Sequence, residues 1–196
     1  MRRFIIAGVV IFIIFISLIL LFARRGDRPQ QDVGVNRETS LVDYANTSST
    51  VRFTQNGQIN AREDHRVLQI TVGQNERTVV VFDGYQGNVL KSQTLLNDPD
   101  AYRAFLAALQ NSGYTRPQIA NRNVVPLGAC PTGIRYNYDI LNGADVKQSL
   151  WSTSCSKTRG TFAGNASQVR TLFQRQIPGY EDFIQGSLNE PRTTSP

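Results

Sequence analysis

The rhythm of hydrophobic and polar positions changes along this chain, and each change predicts a different element. Residues 4–23 carry no charge and are apolar at almost every position. About 20 such residues, at the helical rise of roughly 1.5 Å each, span the hydrocarbon core of a bilayer. The run is longer than a signal-peptide core and ends in Leu20, Leu21, Phe22, Ala23 without a small-residue cleavage pattern. It therefore reads as a permanent transmembrane anchor. Residues 26–48 lose sustained apolar periodicity and read as a juxtamembrane linker.

Beyond the linker the period becomes two. Val51 and Phe53 alternate with polar neighbours up to Asn56-Gly57, a pair suited to a hairpin turn. Leu68, Ile70 and Val72 share the face of a second strand, and residues 78–82 hold three successive valines. A further strand over 89–96 follows Gln86-Gly87-Asn88. Short turns between consecutive strands predict an antiparallel meander.

The period then switches to 3.6. Tyr102, Phe105, Leu106 and Leu109 fall on one helical stripe, with Asp98 as N-cap, Pro99 in the first turn and Gly113 as closing residue. A second helix is predicted over 166–176, capped by Asn165 and burying Val169, Leu172 and Phe173. A last short turn over 180–184 brings Tyr180 and Phe183 to the core.

Between the two helices the alternation returns. Ile134, Tyr136, Tyr138 and Ile140 share a face, and residues 146–151 run back. With Asn142 and Gly143 as the loop, Ile134 faces Trp151 and Cys130 faces Cys155 in a non-hydrogen-bonded pair. Such pairs hold Cα atoms about 4.5 Å apart, within the reach of a disulfide. These are the two cysteines of the chain. A structural disulfide is expected, in keeping with an exported domain.

Charge refines the picture. The formal net charge is +6, but four of the 21 basic residues, Arg2, Arg3, Arg24 and Arg25, bracket the apolar run. The rest nearly balance the 15 acidic residues and form no cluster. The surplus is a membrane flank for anionic head groups, and a nucleic-acid partner is not expected. The flanks do not fix orientation by themselves. The disulfide favours an N-terminus inside the cell and an extracytoplasmic domain.

Candidate chemistry is sparse. His65, the one histidine, lies in the polar run Glu63-Asp64-His65-Arg66 and reads as solvated. With two cysteines and one distant histidine, no metal-ligand spacing arises, and no phosphate loop or nucleophile elbow is present. No cofactor is expected. Ser154-Cys155-Ser156-Lys157 matches S-x-x-K, whose chemistry needs the lysine one helical turn from the serine. Here the four residues follow a strand and lack the companion motifs. Asn46-Thr47-Ser48 and Asn165-Ala166-Ser167 fit the glycosylation acceptor pattern. Tyr85, Tyr114, Tyr136, Tyr138 and Trp151 are the aromatic candidates. Tyr136, Tyr138 and Trp151 read as one hairpin face, with core packing preferred over a binding platform.

The expectation is an α+β protein: a transmembrane helix, then a mostly antiparallel sheet in the order β-β-β-β-α-β-β-α, with two helices on one face. Its parts are an anchor over 1–25, a linker over 26–48, a domain over 49–186 and a disordered tail over 187–196. The expected function is a non-catalytic interaction module at the cell envelope or surface, in contact with the bilayer and with a protein or envelope polymer. The alternatives are an envelope hydrolase using Ser154 and Lys157, and a cytoplasmic-facing scaffold.

Overall fold

The computed structural model describes residues 40–121 and 124–187. The anchor predicted over 4–23, with Arg2, Arg3, Arg24 and Arg25, lies outside them. So do the linker up to residue 39 and almost all of the tail. Among the described residues, no helix is long and apolar enough to cross a membrane.

Six strands form one antiparallel sheet: β1 (Ser49–Asn56), β2 (Arg66–Val72), β3 (Glu76–Asp83), β4 (Asn88–Leu96), β5 (Arg135–Asn142) and β6 (Asp145–Thr153). Their spatial order is β4-β3-β2-β1-β5-β6. Helix α1 (Pro99–Asn111) falls between β4 and β5, and α2 (Ala166–Gln174) and the short α3 (Tyr180–Ile184) follow β6. The expected element order and α+β class are present.

Helix starts follow the residues that predicted them. The Asp98 carboxylate accepts from Asp100 N and Ala101 N, and the Asn165 side chain accepts from Gln168 N at 3.0 Å. Both satisfy amides that have no partner inside a helix. Gly113 leaves α1 at φ +73°, where a side chain would be strained.

The linker ends earlier than expected. Leu41–Asn46 form a 3-10 helix packed on α1, burying Leu41 and Ala45. The signal is too short to register as a period: two buried positions within six residues.

One face of the sheet carries the helices. Val51, Phe53, Leu68, Ile70, Val79 and Val81 project into this core, where they meet Tyr102, Leu106, Leu109, Val169 and Phe173. Phe53 stacks with Tyr136 and Phe173 at ring distances of 5.9 and 5.5 Å. The buried tyrosines end on acceptors: Tyr102 OH donates to Ser49 O, and Tyr114 OH lies 3.0 Å from both Arg52 O and Asp139 O.

Two turns differ from expectation. Asn56-Gly57 is no tight hairpin: the loop over 57–65 intervenes before β2, and Gly57 N bonds Arg66 O. In the second hairpin, Asn142 pairs with Asp145, so Gly143 and Ala144 form the loop, with Gly143 at φ +60°. A bulge between Ile140 and Leu141 then shifts the ladder again. Trp151 therefore pairs with Asn137 rather than Ile134. Beyond the bulge the net shift is odd, which turns the β6 side chains from Gln148 to Thr153 to the other face.

The disulfide forms even though that register is absent. Cys130 and Cys155 are joined, with Cα atoms 5.7 Å apart. Cys130 stands ahead of β5 in a turn, with Gly133 N bonded to Cys130 O. Its φ of +54° makes it the one non-glycine with positive φ among the described residues. A Cβ on Gly133 would lie 2.5 Å from Cys130 Sγ and from Ser154 Oγ, so the close approach requires glycine.

Candidate functional site

The second face of the sheet carries no α-helix among the described residues, and on β1 and β5 it is mostly polar. Arg52 and Asp139 face each other across β1 and β5, joined through Arg52 Nε and Nη2 at 3.0 and 2.9 Å. Ser149 Oγ donates to the same carboxylate at 2.6 Å. Further along, Asn56 Nδ2 donates to Asn137 Oδ1 at 3.1 Å. A single bond between two amides leaves one amide nitrogen and one amide oxygen wholly unused, whichever way the two are oriented.

Loops close one end of this face into a cleft of about 370 Å³, lined by Asn56, His65, Val67, Arg135, Asn137 and Trp151 with Tyr85, Pro126 and Leu127. The loop over 57–65 folds back across the sheet and is tied down at both sides. Tyr85 OH donates to Asn60 O and accepts from Asn60 N, and Ile59 N bonds Pro131 O at 2.8 Å. The His65 ring stacks on Tyr85 at 3.9 Å with the planes 7° apart.

His65 is thus a correction to the sequence reading. It is 2% exposed, not solvated. The polar run around it is split by the loop: Glu63 and Asp64 stay outside while His65 and Arg66 turn in. His65 Nδ1 lies 2.9 Å from Gln58 O and must carry the proton there, since a carbonyl only accepts. Its Nε2 has no hydrogen-bond partner among the described residues.

Arg135 is the group that sequence reasoning missed. It begins β5 on the second face and is 7% exposed. Its guanidinium meets two neutral acceptors: Nη1 donates to Leu127 O, and Nη2 makes a long contact of 3.4 Å to Gly57 O. Nε is buried without any partner. A buried donor left unsatisfied costs about 1–3 kcal/mol, and a buried cation normally finds an anion. No carboxylate lines this cleft among the described residues. The available signal was parity: Arg135, Asn137 and Asp139 alternate with the apolar Tyr136, Tyr138 and Ile140.

The expected aromatic face is divided. Tyr136 and Tyr138 lie in the helix-covered core, where Tyr138 stacks on Phe162 at 3.9 Å. Burial pushes the Tyr138 hydroxyl up to about 12, against a smaller lowering by its bond to Ser152. Burial likewise raises Tyr114 well above the usual range. Trp151 sits on the opposite face, in the cleft. Its backbone is paired to the following segment, N to Thr161 Oγ1 and O to Phe162 N. Gly160 lies so close that a Cβ there would overlap the Trp151 carbonyl.

Ser154 and Lys157 are not brought together. Ser154 Oγ accepts from Ile134 N at 2.9 Å and neighbours Cys130 Sγ, while Lys157 is exposed. Among the described residues no group of three His, Cys, Asp or Glu side chains is placed to hold a metal ion. A second, more open depression of about 390 Å³ beside α2 and α3 includes Arg175, Tyr180, Glu181 and Asp182. Both signs of charge meet there, so it has no unmatched buried charge comparable to Arg135. Comparison with known proteins returns no match, either to a family model or to a curated protein.

Proposed function

We propose that this chain is a single-pass, membrane-anchored, extracytoplasmic module that binds a ligand in the second-face cleft without chemical turnover. The cleft carries the reading. It gathers a buried cation with an unsatisfied donor, an unpartnered histidine nitrogen and an amide pair with open valences beside the apolar side chains of Val67, Pro126, Leu127 and Trp151. Convergent polar groups in a small, mostly apolar concavity are the usual form of a binding site. Support for the anchor is the uncharged run over 4–23 and its arginine flanks. Support for the outward domain is the Cys130–Cys155 disulfide, a bond that persists in oxidising compartments. No contact favours the Ser154 and Lys157 alternative, since Ser154 is engaged with the Ile134 amide.

Two measurements test this. An impermeant maleimide should label both cysteines of intact cells after reduction and neither before it. Labelling without reductant, and only in broken cells, would place the domain inside. A photo-crosslinking residue at Leu127, on the rim of the cleft, should capture an envelope component in living cells. The same probe at Gln168, exposed on α2, should not. Identical adduct patterns from the two positions would refute a cleft-specific function.

A further inference from the structure

The charge and valence of the cleft point to a narrower ligand class. Resting on the binding reading above, we propose that it receives the free carboxyl end of a peptide whose last side chain is apolar. The unsatisfied edge of Arg135 is its Nε–Nη2 side, covered in this state: Nε is buried with no partner among the described residues, and Nη2 has only the long contact to Gly57 O, which an entering ligand would displace. These two atoms are parallel donors, spaced to meet both oxygens of one carboxylate. A carboxylate that displaces the Gly57 carbonyl replaces a weak neutral acceptor with a charge-assisted pair.

The remaining open groups match the rest of a chain end. The Asn56–Asn137 pair offers one donor and one acceptor, enough for the carbonyl and N–H of the last peptide link. His65 Nε2 adds an acceptor when the ring is neutral. Val67, Pro126, Leu127 and Trp151 supply apolar wall for a side chain. A volume of about 370 Å³ suits a terminal residue with its peptide link, whereas a chain passing through would need a groove open at both ends. An acidic sugar would bring the same carboxylate, but its ring hydroxyls would face the apolar walls of Val67, Pro126, Leu127 and Trp151.

The chain provides its own reporter, because Trp151 in the cleft is its single tryptophan. The full chain in mild detergent is titrated with an acetylated tripeptide ending in leucine, once as the free acid and once as the C-terminal amide. Tryptophan emission is followed throughout. The free acid should saturate the change, and the amide should bind at least about tenfold more weakly, the effect of losing a charge-assisted bidentate contact. Arg135→Lys keeps the charge but loses the two-atom edge, and should weaken the acid by a similar factor. Leu127→Glu is the second variant: Leu127 is 81% exposed, so the fold tolerates the change while the new charge repels a carboxylate.

Equal binding of acid and amide, saturation by glucuronate but not by the peptide, or no response to any of them would each overturn the carboxyl-end proposal. These failures are separable from failure of the binding function. Crosslinking from Leu127 in cells would persist with a different ligand, and would vanish if the cleft binds nothing.

Discussion

The two faces of the sheet use the same strands for opposite purposes. On the helix side, Val51, Phe53, Leu68 and Ile70 meet an aromatic cluster, and every residue named is fully buried. On the other side, the intervening residues of β1 and β5 form an ion pair, an amide pair and a buried guanidinium. The first face is close-packed and apolar, so its stability depends on shape. The second is half-covered by loops and holds groups whose hydrogen-bonding capacity is only partly used. Folding free energy resides mainly on one side, and unused hydrogen-bonding capacity on the other.

Substitutions can break or sharpen this contrast. The largest effect is expected from Phe53→Ala, which empties a site shared by Tyr136, Tyr138 and Phe173. A loss of about 3–5 kcal/mol is expected from urea unfolding, typical for a buried phenylalanine. A loss below about 1 kcal/mol would show that the core face is not the stabilising one. Next is the paired change Cys130→Ser with Cys155→Ser. Releasing a link with a sequence separation of 25 should cost about 3 kcal/mol. It should also alter Trp151 emission, because the loop that bonds Arg135 leads directly into Cys130.

Alkaline titration separates the faces by chemistry. Tyr114 and Tyr138 on the core side hold their protons above the ordinary tyrosine range because burial disfavours the anion. The unfolded chain ionises first, near pH 10. The stabilisation is therefore intact below pH 10 and is lost as pH rises toward about 12, the value for Tyr138. Unfolding midpoints measured across that window should fall together with the rise of tyrosinate absorbance. The smallest effect is expected from Leu127→Ser on the rim: within about 0.5 kcal/mol in stability, yet a weaker peptide response in Trp151 emission.

The helix side was legible in the sequence because burial there follows period and capping. Asp98, Pro99, Asn165 and the alternation of Val51 with Phe53 state their roles locally. The cleft was not legible in the same way. Its residues come from β1, β2, β5, β6 and the β3–β4 turn, and they are brought together by the loop over 57–65 and by a bulge. A bulge is a single inserted residue, and in this hairpin it moved Trp151 from an expected core face to the cleft. The disulfide was anticipated from its chemistry, through a register the chain does not adopt. His65 shows the same limit: a charged neighbourhood in sequence says nothing of which residue a loop turns inward.

One feature of the sheet order bears on how the molecule assembles. Neighbouring strands are consecutive in the chain everywhere except at β1 and β5, where Arg52 meets Asp139 across a separation of 87 residues. Closing so long a segment is the entropically slow step of folding. The disulfide fastens β5 to β6 but does not shorten this separation. Until the second hairpin arrives, the first four strands wait with the free edge of β1, and with it Val51 and Phe53, open to any other extended chain. A newly made molecule is thus most vulnerable to misassociation in the interval between synthesis of Leu96 and synthesis of Asn142.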